Sequence, residues 1–236
     1  MGKIQKYVTF SFDDGVTQDK RLVELFNKYG LKGTFNLNSS LLGLKGELPV
    51  HGKIVNHTKV FPQEVKTTYK GHEVAVHTLT HPNLTCEDDV TVAYQVEEDR
   101  KQLSKLVGYE VCGMAYPCGG VNNDDRVAEV IKTSTGVQFS RTITSTHSFD
   151  LPKNVYRLNP TVYICEPQKM FELAEKFVAL QTDKPQLFYV WGHAYEFDGV
   201  DEMTWERFEE FCALIAGKDD ICYGTNQEVL NRLGLL

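Results

Sequence analysis

The sequence predicts an α/β fold: a distorted (β/α) barrel of about seven strands, with its active site at the C-terminal ends of parallel strands. Three observations carry this expectation. Strand-like runs alternate with helical patterns along the chain, and most of the strands are continuous apolar runs, as strands covered on both faces are. The polar residues Asp13, Asp14, His77, His81, Arg141 and His193 each follow the C-terminal end of an expected strand. With about seven or eight such units, closing the sheet is more economical than leaving it open and doubly wound, and reactive residues gather at strand C-termini in either architecture. At 236 residues, 42% hydrophobic and 24% charged, the chain can bury a full core and is expected to form one domain over 1–236; disorder and fibrous classes are excluded.

Taken in order, Tyr7 to Phe12 predicts the first strand. Thr17 or Asp19 can cap a helix whose Leu22, Leu25, Phe26 and Tyr29 share one face before Gly30 stops it. Gly33 to Leu37 is the second strand, and Asn38 to His57 a Gly-rich surface loop or insertion beside the site. Pro62 to Tyr69 is a short helix, and Gly71 leads into Glu73-Val74-Ala75-Val76, the strand that carries His77. Asp88 to Val107 has the longest helical pattern, with Asp88 or Asp89 near its start and no Pro or Gly inside. Strands are then expected at Val111 to Tyr116, Val137 to Arg141, Val155 to Leu158, Leu187 to Trp191 and Ile221 to Tyr223. The helices between them are expected at Asn122 to Thr133, Pro167 to Leu180, Thr204 to Ala216 and Asn226 to Leu233.

A formal charge of −7 with scattered lysines and arginines offers no basic patch, which excludes nucleic acid and anionic lipid as partners and leaves a neutral or small-molecule ligand. Met1 to Lys6 lacks the apolar run of a secretory leader and no later segment has the length of a membrane span, so a cytoplasmic location is expected. The six cysteines show no Cys-x-x-Cys spacing and read as reduced thiols, mostly buried.

Chemistry concentrates in two stretches. Val8-Thr9-Phe10-Ser11-Phe12-Asp13-Asp14-Gly15 is a strand that ends in two carboxylates and a glycine, delivering charge to the lip of a sheet. His77-Thr78-Leu79-Thr80-His81 sets two imidazoles four apart just after another strand. Two neutral imidazoles and a carboxylate make a three-ligand site that leaves positions open on Zn²⁺, Co²⁺ or another divalent ion, as hydrolytic sites require. Adjacent residues at a strand end point apart, so one aspartate can bind metal while the other acts as general base. His193 can protonate a leaving group.

These stretches resemble the polysaccharide deacetylases with a NodB-homology domain, carbohydrate esterase family 4. Thr9-Phe10-Ser11-Phe12-Asp13-Asp14-Gly15 is similar to the family's first motif, which implies Asp13 as catalytic base and Asp14 as metal ligand. Gly71-His72-Glu73 with His77 and His81 is similar to the second motif, which implies those two histidines as the remaining ligands. Leu187 to His193 is similar to the fifth, an apolar strand ending in a general-acid histidine. The family implies a distorted (β/α) barrel that hydrolyses N-acetyl or O-acetyl groups on sugars. In the third motif the family has arginine, any residue, proline and an aromatic; this chain has Ala115-Tyr116-Pro117-Cys118-Gly119, without the arginine that orients the base. Arg141, at the end of the next strand, is the nearby arginine able to substitute for it, and the backbone N–H of Cys118 can still meet an oxyanion, since a backbone donor survives a side-chain change. The fourth motif, with its aspartate-tryptophan pair, is not visible around Phe139 to Thr142.

Tyr116, Pro117 and Cys118 are thus expected to line the oxyanion or substrate region, with Tyr195 or Glu196 lining the cleft after His193. Cys118 is read as a small buried filler, with a fourth ligand or an oxidation-prone thiol as the alternatives. Trp191 and Phe188 are expected in the core, His51, His57 and His147 in solvated loops, and His72 in a structural role. The function these features imply is metal-dependent removal of acetyl groups from N-acetylated or O-acetylated sugars or oligosaccharides. The alternatives are hydrolysis of another C–N amide, such as a cyclic ureide in the manner of allantoinase, or a metal- and sugar-binding protein without catalysis.

Overall fold

In the computed structural model, which describes residues 5–236, the chain runs β1 (Lys6–Asp13), α1 (Asp19–Tyr29), β2 (Gly33–Leu37), β3 (Glu47–Val50), β4 (Lys53–Asn56), α2 (Val65–Thr68), β5 (Glu73–Val76), α3 (Asp89–Val107), β6 (Gly113–Ala115), α4 (Asp125–Ser134), β7 (Phe139–Arg141), β8 (Val162–Tyr163), α5 (Pro167–Ala179), β9 (Gln186–His193), α6 (Glu196–Gly199), α7 (Trp205–Ile215), β10 (Ile221–Tyr223) and α8 (Asn226–Arg232). Residues 1–4, most of the stretch on which the absence of a leader was read, lie outside the described residues. Among the described residues no helix is long and apolar enough to cross a membrane.

Seven parallel strands, in the order β7-β6-β5-β2-β1-β9-β8, form a curled half-barrel, and β10 pairs in parallel with the first half of β1. This is the barrel the alternating pattern predicts. The central β1 is buried along its whole length, and its side chains divide by parity. Phe10 and Phe12 point outward and pack on Phe26, Phe208 and Phe211 of the surrounding helices. Ser11 and Asp13 face inward, level with Trp191 and His193 of β9 and with Thr34 and Asn36 of β2. A second, smaller apolar cluster includes Tyr7, Phe139, Leu187 and Tyr189.

Helix ends follow their capping chemistry. Asp88, Asp124, Thr204 and Thr225 cap α3, α4, α7 and α8 through their side chains, each worth about 1 kcal/mol. Gly30 and Gly108 close α1 and α3 in the left-handed conformation. Three local expectations are corrected. Neither Thr17 nor Asp19 caps α1: Gln18 stands at that position, and Asp19 is buried, accepting a hydrogen bond from the Tyr69 hydroxyl at 2.7 Å. The α4 helix starts at Asp125 rather than Asn122, because the Asn122 amide is engaged by the carbonyls of Pro117 and Cys118.

The third correction concerns the open side of the sheet. Val155–Arg157 is a 3₁₀ turn, with Asn154 accepting from the Tyr156 N–H, instead of a strand. Only Leu158 bridges to Arg141, and the strand proper is the short β8. Pro160 between them has no N–H to give and divides the edge into two pieces.

The stretch after β2 is more ordered than a loop. It contains the antiparallel hairpin β3–β4, whose Val50 and Val55 pack against Gly199, and its return limb forms an antiparallel bridge between Lys59 and Val16. Backbone hydrogen bonds from Thr17 to Thr58 and from Val60 to Gly15, both 2.8 Å, fasten that limb beside the end of β1.

Candidate active site

The end of β1 carries both carboxylates into a buried position. Asp13 is in register with Asn36 on one side and His193 on the other, so a base candidate and an acid candidate stand level on adjacent strands. The Asp13 Oδ1 accepts from Asn36 Nδ2 at 2.8 Å and from an Arg141 guanidinium nitrogen at 2.5 Å, and the same nitrogen pairs with Oδ2. Arg141 is fully buried; it also donates to Ser11 Oγ at 3.2 Å and lies over the Trp191 ring, 4.6 Å from its centroid. An arginine from the end of β7 thus reaches Asp13, although the Tyr116-Pro117-Cys118 stretch offers none. Burial alone would raise the Asp13 carboxyl, but the charges of Arg141, His77 and His193 and the Arg141 hydrogen bond outweigh it and hold it below the ordinary range.

Asp14, His77 and His81 come together with one ligand atom each, all within 4.8 Å of one another. The His77 Nδ1–H donates to the Ala115 carbonyl at 2.8 Å, which leaves Nε2 free to bind; its backbone N–H is held by Leu37 O and by the buried Asp99 carboxylate. Burial pushes His77 down to about 4 and draws His81 down as well, so both rings are neutral at pH 7, the form a metal binds. Two neutral imidazoles and one carboxylate fit a divalent ion with positions left open. The backbone here is strained: Asp14, Thr78, His81 and Cys118 have φ between 64° and 81°, a region that costs a non-glycine residue about 1–3 kcal/mol and collects at functional sites. Gly15 follows at φ 60°, and a Cβ there would sit 2.6 Å from a Leu37 methyl, so glycine is required on both counts.

Sequence reasoning missed one of the three residues that follow and misjudged the other two. His57, expected in a solvated loop, stands with Nε2 3.2 Å from Asp14 Oδ2, and Lys59, 5% exposed, has its ammonium 3.3 Å from Asp14 Oδ1. The bridge between Lys59 and Val16 explains both, because residues two apart on an extended limb face the same way. The signal in the sequence was the His-x-Lys spacing, which has meaning only once that limb is known to pair with β1. Burial would raise Asp14, but the hydrogen bond from His57 and the charge of Lys59 bring it well below the ordinary range. Replacing Lys59 with methionine is expected to tighten divalent-ion binding by roughly tenfold, the repulsion of a unit charge and a dication a few ångströms apart in a water-like medium. Titration with Co²⁺ against a chelator measures it; unchanged or weaker binding would mean that Lys59 serves to hold Asp14 in place.

The third is Glu196. Buried on α6, it accepts from the His193 backbone N–H at 2.9 Å, takes the Tyr163 hydroxyl, and stands 3.2 Å from His193 Nδ1. His193 Nε2 is left toward Asp13 Oδ2 at 3.9 Å. Burial lowers His193, but Glu196, Asp13 and Asp14 together raise it to about 9, so it is protonated at neutral pH.

The remaining expected residues divide. Tyr116, Cys118 and Tyr195 line the same cleft, a cavity of about 640 Å³. Tyr116 is buried and donates to the Tyr156 carbonyl, and Pro117 shapes the turn that Asn122 pins. Cys118 is half-buried beside His81, its sulfur 3.7 Å from Nδ1, and burial raises its thiol; the ligand atoms that converge are those of Asp14, His77 and His81. Trp191 is a core residue and a cleft wall at once, stacked on Tyr163 at 4.3 Å. His147 is paired with Glu166 at 2.7 Å, away from the cleft, and His72 is structural as expected, accepting from the Gly33 N–H.

A curled parallel sheet thus carries at its C-terminal lip the facing Asp13 and His193 side chains and a cluster of Asp14, His77 and His81 that could hold a metal ion. The chain belongs to the polysaccharide deacetylase family, whose model matches residues 2–138. Among solved structures it is similar to a putative polysaccharide deacetylase from Mycobacterium smegmatis, at TM-score 0.65 and 13% identity, covering 99% of this chain and 92% of that one. It is similar also to the CE4 domain of a multidomain xylanase from the hindgut metagenome of Trinervitermes trinervoides, at 0.60 and 15%, covering 98% and 92%. A family 4 carbohydrate esterase from Streptomyces lividans, solved in complex with acetate, matches at 0.58 and 14%, covering 94% and 93%. No curated protein matches the chain in sequence.

Proposed function

We propose that the chain, acting as one catalytic domain over residues 1–236, is a metal-dependent hydrolase that removes acetyl groups from N-acetylated or O-acetylated sugars or oligosaccharides. The observation that carries this is the buried Asp13, held ionised by Arg141 beside the Asp14, His77 and His81 cluster, with His193 facing it. A divalent ion held by those three residues, Zn²⁺ or in its place Co²⁺, would polarise the acyl oxygen and acidify a water molecule. Asp13 accepts the proton of the attacking water at Oδ2, because Oδ1 already accepts from both Asn36 and Arg141 whereas Oδ2 pairs with Arg141 alone. Arg141 and Asn36 keep the carboxylate ionised and aimed. The Cys118 backbone N–H, in the turn shaped by Pro117 and pinned by Asn122, meets the developing oxyanion, with Tyr116 and Tyr195 walling the acyl group. His193 then gives its Nε2 proton to the departing amine or alkoxide, Nδ1 being engaged by Glu196. Acetate, the acid this reaction releases, is what the Streptomyces lividans esterase was found to hold. A purely binding protein would have no use for an aligned acid-base pair.

The test is acetate release from N-acetylated and O-acetylated sugars by chelated enzyme reconstituted with Zn²⁺, Co²⁺ or nothing. Metal-dependent release supports the proposal; bound metal with no release from any sugar sinks it. A second outcome follows from the histidine. Activity should fall as pH rises through about 9, where His193 loses its proton. Glu196→Gln removes the strongest of the influences that raise His193, and this alkaline limb should move to lower pH. Profiles of kcat/KM against pH decide it, and an unmoved limb would remove Glu196 from the proton path.

A further inference from the structure

The wall of the cleft beyond the reacting groups is apolar in a way that sugar hydroxyls do not explain. Leu41, Leu44 and Leu48 come from the segment after β2, and Ile143 faces the cleft from beyond β7. Outside the reacting cluster, no serine, threonine, asparagine, glutamine, arginine or acid is found among the described lining residues, and the lysines are Lys45 and Lys59, the second of them paired with Asp14. The hydroxyls of Tyr116 and Tyr163 are already engaged, by the Tyr156 carbonyl and by Glu196. Sites that read sugars need polar groups placed against hydroxyls, and desolvating a hydroxyl against leucine without a partner is unfavourable.

The leucines are also held rather than loose. Gly43 N–H donates to Val60 O at 3.0 Å, Lys59 N–H to Leu44 O at 2.8 Å, and His57 N–H to Gly46 O at 2.8 Å, tying the outgoing limb to the one fastened on β1. Leu44 is therefore presented at 55% exposure by an ordered backbone, at the mouth of the cleft that contains Asp13 and Asp14. The cavity of about 640 Å³ is far larger than an acetyl group fills.

We infer that this cleft takes a substrate whose group next to the scissile acyl bond is apolar and several carbons long, an alkyl or aryl substituent lying on Leu41, Leu44 and Leu48. The inference rests on the hydrolytic reading of the same site and narrows its substrate. It leaves two sources for the apolar group, the acyl side and the amine side, and the test has an arm for each.

The probes are N-acylglucosamines from acetyl to octanoyl and alkyl β-glycosides of N-acetylglucosamine from methyl to octyl. Dissociation constants are measured by calorimetry on the Zn²⁺-loaded Asp13→Asn variant, and kcat/KM on the native chain. In one arm affinity should rise about fourfold per methylene, the factor for burying a CH₂ group, before levelling off. Leu44→Ser, at a position too exposed to endanger folding, and Leu48→Ser should both flatten that slope. Affinity that is flat or falls with length in both arms overturns the inference, as does a slope that both serine variants leave unchanged. A rising slope in binding without turnover of any probe keeps the apolar wall and sinks the hydrolytic reading; turnover with a flat slope does the reverse.

Discussion

Replacing Asp13 with asparagine is expected to lower kcat by about 10²–10⁴, the range a positioned general base supplies, while a divalent ion still binds Asp14, His77 and His81. Asparagine keeps the shape of the side chain and its contact with Asn36 but cannot take up a proton at neutral pH. The substitution also leaves the Arg141 guanidinium buried with its countercharge gone, so the variant should melt lower even where it folds. Activity and metal stoichiometry are therefore measured on the same sample, below its melting transition. Turnover within tenfold of the native chain, with metal bound, would remove Asp13 from the role of base.

Arg141→Met is expected to produce the largest loss of stability of any single change at the site, about 3–5 kcal/mol, because it strands a carboxylate in a fully buried position. The sign of its pH dependence follows from Asp13. In the native chain Asp13 lies below the ordinary value of 3.8, so its contribution to stability is complete above that value and is lost as pH falls through the depressed folded value. Without Arg141 burial dominates, the carboxyl rises above 3.8, and holding it ionised at neutral pH opposes folding. The stability gap between native and variant should thus be widest near pH 7 and narrow on acidification, when the variant can protonate Asp13. Urea unfolding at pH 7 and pH 5 measures this, and a gap independent of pH would contradict it. The double variant Asp13→Asn with Arg141→Met should lose less than the sum of the two single losses, since the second change removes the group that the first strands.

Much of this molecule could be read in its sequence because the relevant signals are local. A buried parallel strand announces itself as an apolar run, and a strand that ends in Asp13-Asp14-Gly15 or in His77 puts charge at the sheet lip whatever else the chain does. The caps at Asp88 and Thr204, the stop at Gly30 and the i, i+4 spacing of His77 and His81 are likewise properties of a few consecutive residues. Even Glu196, three residues after His193, was near enough in sequence to be suspected of lining the cleft. Its contact with Nδ1 depends on the turn into α6, which Tyr195-Glu196-Phe197 does not specify by composition.

What only the tertiary structure decided is the company these residues keep. Arg141 and Asp13 are 128 positions apart, and their pairing depends on the curl of the sheet that turns β7 toward β1. His57 and Lys59 reach Asp14 because a hairpin inside an apparent loop returns its limb to Val16, a pairing set by backbone hydrogen bonds that carry no sequence signature. The 3₁₀ turn at Val155–Arg157 shows the same limit from the other side: a strand-like run was overruled by the Asn154 side chain, with Pro160 breaking the edge that follows. The sequence by itself determined which chemical groups stand at the strand ends, since that follows from local periodicity. Which of them are neutralised, oriented or walled by apolar side chains was decided by register and closure, because those bring together residues that the chain keeps far apart.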